Sequence, residues 1–217
     1  MGDVFQEVDE DVRREQLLRL WRRYGWLVIA ALVLIVLGTA GVTGWTYYKT
    51  HRMMADGARF EAATVLLDSG DSEAAARAFS EVANQAGGGY PILARFREAV
   101  ALLESGDREG AIAVYDRLAG EDGVGDLYRD LAALLAASHT LDAGRAGEAA
   151  DRLVPLSDGA GPWRHMAREL RGLAVLEGGG MVEAQEIFSA LVEDVATPPG
   201  VRNRAGELLS LISGHSG

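Results

Sequence analysis

Residues 106–115 have the sequence Gly-Asp-Arg-Glu-Gly-Ala-Ile-Ala-Val-Tyr, in which an alanine follows the first glycine by five positions and a large apolar residue follows it by nine. The same spacing occurs four times in the chain, with a further small residue seven positions before each glycine. The glycines are 36, 38 and 35 residues apart, which predicts an array of stacked structural units. The four sets are Ala63, Gly70, Ala75 and Phe79; Ala99, Gly106, Ala111 and Tyr115; Ala137, Gly144, Ala149 and Leu153; and Gly172, Gly179, Ala184 and Phe188.

Each unit is predicted to form two helices joined by a tight turn. The small residues let the two helices approach closely, and the glycine supplies the left-handed conformation that ends the first helix. Asp71 and Asp107 follow their glycines and are placed to cap the second helix. Arg145 stands at the equivalent position of the third unit, and the fourth opens with residues 178–180, which are all glycine. We therefore expect less regular turns in the third and fourth units.

The pattern of a small residue, a glycine, an alanine and an aromatic residue at these spacings resembles the tetratricopeptide repeat (TPR) over about residues 56–196. This resemblance implies an all-α fold in which about four helix pairs form an α-solenoid. Residues 199–213 follow the last unit, and Leu208, Leu209 and Ile212 give them an apolar face. They are predicted to form a helix that caps the exposed end of the array.

A segment without charged residues extends from Gly25 to Tyr48. As a helix at about 1.5 Å per residue it would span roughly 36 Å, enough to cross the hydrocarbon core of a bilayer. A cleaved signal peptide is the alternative, with residues 38–40 as the processing site, but the segment's length and the charged residues before it favour a retained anchor. Aromatic residues of the kind found at membrane interfaces stand at its two ends: Trp21, Tyr24 and Trp26, and Trp45, Tyr47 and Tyr48.

The basic residues flanking this segment predict its orientation. Five arginines lie within residues 13–23, whereas only Lys49 and Arg52 follow closely after the segment. By the positive-inside rule the N-terminus lies in the cytoplasm and residues 51–217 on the far side of the membrane. The expected organisation is a cytoplasmic arm (1–24), a transmembrane helix (25–48), a linker that continues the helix (49–55), TPR-like repeats (56–198), a capping helix (199–213) and a frayed tail (214–217).

Composition argues against catalytic and nucleic-acid-binding functions. The chain has no cysteine, one lysine, and four histidines that lie far apart, so it shows neither clustered metal ligands nor a base beside a nucleophile. Its net charge of −11 would repel nucleic acid. We expect no enzymatic activity, no metal or other cofactor, no small-molecule substrate and no nucleic-acid partner.

The function that remains is the binding of another protein in a groove of the repeat array. In a TPR-like array the first helix of each pair lines the inner wall, which here is apolar and suits an amphipathic helix or an unfolded apolar segment. The alternative is that a neighbouring repeat or the capping helix already covers much of this wall. The candidate groove residues are Phe60, Leu93, Phe96, Val100, Leu103, Leu131, Leu134, Met166 and Leu173.

The whole arrangement resembles a known bacterial family, the TPR-like ancillary subunits of the SecYEG translocon. The resemblance is carried by the arm ending at residues 20–25, the single apolar segment, the four repeats and the final helix with Arg204 to Leu209. It implies an inner-membrane protein with a periplasmic repeat domain. Its partners would be translocon subunits, a membrane-anchored periplasmic chaperone and newly exported proteins. A scaffold that holds envelope or division proteins together without chaperone activity is the alternative function.

Overall fold

The computed structural model describes residues 3–214, with side chains described from residue 21 onward except those of residues 24, 28, 31 and 214. The described residues form nine α-helices and no strand. The chain is therefore all-α over this range. The helices are α1 (Asp3–Asp68), α2 (Ser72–Gln85), α3 (Tyr90–Glu104), α4 (Arg108–Ala119), α5 (Asp126–Asp142), α6 (Ala146–Asp158), α7 (Arg164–Glu177), α8 (Met181–Glu193) and α9 (Pro199–Gly214).

The chain divides into two compact units between Met54 and Ala55, so α1 contributes to both. In the described part of the chain, one stretch (Gly25–Asp68) contains a segment long and apolar enough to cross a membrane, and the most apolar window of that segment is not buried by other residues. Tyr24 lies outside the described side chains. The other five aromatic residues predicted to flank the segment are more than half exposed: Trp21, Trp26, Trp45, Tyr47 and Tyr48.

The second unit consists of four antiparallel helix pairs followed by α9. The first pair is formed by residues 55–68 of α1 with α2, and the others are α3 with α4, α5 with α6, and α7 with α8. Each helix from α2 to α8 packs against the next one along the chain, and α9 packs against both α8 and α7. The apolar core accordingly runs through the unit as a series of clusters between successive helices, as in a solenoid.

All four turns within the helix pairs have the same backbone geometry. Their glycines have φ values between 76° and 89°, which only glycine adopts without strain. The residue after each glycine donates its backbone N–H to a carbonyl five residues earlier, at 2.8–3.2 Å, which is the bond that closes a Schellman turn. The four donor–acceptor pairs are Asp71 to Leu66, Asp107 to Leu102, Arg145 to Thr140 and Gly180 to Val175.

The expectation of less regular turns in the third and fourth units is therefore wrong. Asp71 and Asp107 do cap their helices by accepting bonds from the N–H groups of Ala74 and Gly110 at 3.2 and 2.9 Å. Arg145 and Gly180 provide no such side-chain cap. The turns nevertheless keep their shape, because the glycine and the backbone bonds determine it and the capping side chain only adds stability.

The structure buries the small and large residues of the repeat pattern inside the helix pairs. All seven alanines of the pattern have no exposed surface, and Phe79, Tyr115, Leu153 and Phe188 are at most 2% exposed. At Gly172 the facing helix comes so close that an added Cβ would lie 2.7 Å from Cε1 of Phe188. The large residue of each unit thus fills the space that the small residue opposite leaves free.

This close approach predicts that Gly172→Ala is destabilising. The new methyl group would overlap the Phe188 ring, so we expect the free energy of unfolding to fall by about 1–3 kcal/mol. Gly147→Ala in α6 is the matched control, because its Cβ would meet no atom within 4 Å, and it is expected to be neutral or to stabilise by up to about 1 kcal/mol. Urea unfolding of the two full-length variants in detergent measures both effects. Equal stabilities would contradict the packing described here.

Candidate protein-binding surface

An open apolar cleft lies between α5 and α7, the first helices of the third and fourth pairs. Its volume is about 230 Å³. Met166 is 43% exposed at the cleft, whereas Leu134 is 5% exposed and belongs to the underlying core. A cleft of this composition can accept apolar side chains from a partner. The lining residues are Leu134, Leu135, Ser138, Met166, Glu169, Leu170 and Leu173.

The cleft exists because the second helix of the third pair separates the two first helices. α6 packs extensively against both α5 and α7, whereas α5 and α7 contact each other at few positions. Ala137 and Ala167 lie with Leu134 and Leu153 in the core beneath the cleft. The small side chains of Ala137 and Ala167 let the helices pack closely in this core. Larger side chains such as Met166 and Leu173 line the open cleft.

Among the described residues, Glu169 is the one acidic residue lining the cleft, and its charge is compensated. It is 8% exposed, and both its carboxylate oxygens accept hydrogen bonds from the Arg204 guanidinium, at 2.6 and 2.7 Å. The hydrogen bond with Glu169 raises the pKa of Arg204 above its ordinary value, which keeps the guanidinium charged. The ion pair neutralises the cleft wall and also ties α9 to α7.

The structure brings three of the predicted groove residues, Leu134, Met166 and Leu173, to this cleft. Leu93 is 49% exposed on α3, and Leu131 is partly buried on α5. Neither of these two lines the cleft.

The four other predicted groove residues are partly buried and pack against the cores of the first two helix pairs. The Phe60 ring lies 5.3 Å from the Phe79 ring, and Phe96 lies 6.0 Å from Tyr115, measured between centroids. Val100 and Leu103 pack against the cores of the first and second pairs. Phe60 also lies 5.8 Å from the Tyr90 ring on α3. These four do not line the cleft between α5 and α7, and their role in binding a partner stays a prediction.

The sequence did not predict the ion pairs between neighbouring repeats. Arg145 lies 2.9 Å from Glu109, and Arg152 lies 2.7 Å from Asp116. The first two pairs join residues 36 positions apart on α4 and at the start of or within α6, and Glu169 on α7 and Arg204 on α9 are 35 positions apart. Residues of opposite charge about one repeat apart in the sequence are the pattern that could have predicted these ion pairs. Arg145, at the position where the first two units have a capping aspartate, contacts Glu109 of the preceding repeat instead.

The histidines have separate packing roles where the structure describes them. His165 is 4% exposed, with Nδ1 lying 3.3 Å from Oγ1 of Thr197. Burial, together with the nearby Arg164, lowers the pKa of His165, so its neutral form is favoured. No group of three or more potential metal ligands occurs among the described residues. His215 lies outside them.

Loss of the Glu169–Arg204 ion pair is expected to lower the free energy of unfolding more than loss of an exposed surface ion pair. Arg204→Ala would leave a nearly buried carboxylate without its partner, and we expect a loss of about 1–3 kcal/mol in the free energy of unfolding. Arg77→Ala is the control, because Arg77 pairs with Glu73 on an exposed helix face and such pairs contribute little. Urea unfolding of the full-length variants tests this. An unchanged stability of the Arg204 variant would show that the pair does not hold α9 in place.

Comparisons with known proteins agree with this architecture. Two crystal structures of TPR-like repeats from a putative kinesin light chain of Podosopora anserina, one of them carrying a point substitution, superpose with TM-scores of 0.54 and 0.53. Both are 15% identical to this chain, and both alignments cover 71% of this chain and 83% of the other, so they show a shared fold alone. The search of curated proteins found no match. The sequence profile of the tetratricopeptide repeat-like domain family matches residues 19–201, and the chain belongs to this family.

Proposed function

We propose that this chain is a single-pass membrane protein whose repeat domain binds other proteins through the apolar cleft between α5 and α7. The TPR-like fold is that of a protein-interaction module and is typically non-enzymatic. The observation that carries the proposal is the cleft itself, where Met166 remains 43% exposed in an opening whose acidic side chain, Glu169, is neutralised by Arg204. Such a site favours apolar segments over charged ligands.

The uncharged segment 25–48 supports the anchor. Aromatic residues flank it, and no other described part of the fold buries its apolar window. The excess of arginine before it supports a cytoplasmic N-terminus and a repeat domain on the opposite side, which in a bacterial cell is the periplasm. The division into arm, anchor, linker, repeats, capping helix and tail stated above forms part of this proposal.

The partner proposed here is the Sec translocon, together with a membrane-anchored periplasmic chaperone. The resemblance to the ancillary SecYEG subunits supports this role, and an apolar, charge-compensated cleft suits polypeptides that expose apolar segments before they fold. An adapter that joins folded envelope proteins would not need such a cleft to be open. Purification of the full-length protein in mild detergent separates the two functions, because translocon subunits dominate the recovered proteins only in the first.

The cleft predicts where partners contact the domain. Met166→Asp places a charge at the exposed rim, and we expect the recovery of crosslinked translocon subunits or exported chains to fall about fivefold or more. Val182→Asp on α8 is the control, since Val182 is 70% exposed but does not line the cleft. Crosslinking in cells followed by quantitative mass spectrometry measures both. Equal recovery from the two variants would rule out the cleft as the binding site.

The orientation is tested with single cysteines, which is practical because the chain has none of its own. We expect Val182→Cys to react with a membrane-impermeant maleimide in intact spheroplasts. Gln6→Cys is expected to react only after the membrane is dissolved. The reverse pattern would contradict the orientation, and labelling of neither cysteine before solubilisation would place the repeat domain in the cytoplasm.

A further inference from the structure

We propose that two copies of this chain associate through a groove along the first helix pair. This α1/α2 groove has a volume of about 390 Å³. Among the described residues, those lining it belong to α1 and α2 and not to α3. It is thus distinct from the cleft between α5 and α7. Its walls are formed by Arg59, Ala62 and Leu66 of α1 and by Ala78, Glu81 and Gln85 of α2.

The floor of the α1/α2 groove is apolar and close-packed. Ala63 and Val82 form it and are 0% and 2% exposed. Ala62 on the wall is exposed, and Val65 in the next turn of α1 is 58% exposed. Alanine walls let another helix pair approach closely, as the alanines inside the array do. At the other end of the array, α9 covers the last pair by packing against α7 and α8.

The charges on the two walls are opposite, and their arrangement selects a second copy as the occupant. Arg59 lies ten residues before Ser69 and Glu81 ten residues after Asp71, so the antiparallel helices place them at the same level on opposite walls. A two-fold axis parallel to the helices puts α1 of each copy against α2 of the other. Arg59 of each chain then faces Glu81 of its partner, and Ala62 faces Ala78. Arg59 also lies 3.6 Å from Asp56 of its own chain, but its side chain is 58% exposed and can reach across.

This symmetry has a further consequence for the chain direction. Because the axis is parallel to the helices, residue 55 of both copies lies at the same end of the paired domains. An axis perpendicular to the helices would place the two N-terminal ends of the repeat domains apart.

Charge exchange tests the pairing between copies. Arg59→Glu and Glu81→Arg each place like charges opposite one another, and we expect either variant alone to dissociate about tenfold more readily than the parent. An equimolar mixture of the two is expected to form mixed dimers about as stable as the parent, because each interface then regains two opposite-charge contacts. Mass photometry of the full-length proteins in detergent, with one variant carrying a mass tag, measures both. Thermal unfolding of each variant shows that the fold is retained.

Cysteine crosslinking tests the contact itself. A mixture of Ala62→Cys and Ala78→Cys chains is expected to form a disulfide-linked dimer under mild oxidation. A mixture of Ala62→Cys and Asp151→Cys, the latter exposed on α6, is expected to form none.

Three results would overturn the proposal: a monomeric parent protein, single charge variants whose mixture does not restore the dimer, or crosslinks from Ala62→Cys to a different protein in cells. Because these experiments need no translocon or client, their failure would leave the proposed function of the cleft untouched. Conversely, loss of cleft crosslinks in the Met166 variant would not alter the dimer.

Discussion

The close approach of two helices within each pair is the constraint on which the rest of the structure depends. At Gly172 the distance leaves no room for even one methyl group beside Phe188, and the alanines at the equivalent contacts have no exposed surface. Because the pairs are this tight, each presents a defined surface to the next, and stacking the pairs buries an apolar core that no single pair could form. The solenoid and its grooves follow from this small-against-large packing.

Stacking of the repeats also brings oppositely charged side chains of neighbouring repeats into contact. Arg145, Arg152 and Arg204 each reach an acidic residue one repeat earlier, so the ion pairs hold neighbouring repeats in register. The pair with Glu169 is nearly buried on the acidic side, whereas those with Glu109 and Asp116 are solvent-exposed. Removing one partner of the first pair would leave a nearly buried charge unpaired, whereas the exposed pairs contribute little to the free energy of unfolding.

The two grooves of the repeat domain differ in chemistry, and this separates their proposed occupants. The cleft between α5 and α7 is apolar, and its carboxylate is already neutralised, so it suits an apolar segment of a different protein. The α1/α2 groove carries opposite charges on its two walls, which makes it complementary to itself. A domain that pairs through one surface would leave the other free for partners.

The sequence by itself determined the all-α repeat architecture, the four glycine turns and the small-against-large contacts, because each depends on residue types at a fixed local spacing. It also singled out the apolar segment at residues 25–48 from length and composition alone. It did not determine which apolar side chains of the first helices stay exposed. Met166 lies on the first helix of its pair and is 43% exposed. Four other apolar residues on first helices pack against neighbouring helices instead: Phe60, Phe96, Val100 and Leu103. Only the tertiary structure decided this, because exposure depends on the angle at which each pair stacks on the next, and that angle is the summed result of contacts among several helices rather than a property of any one of them.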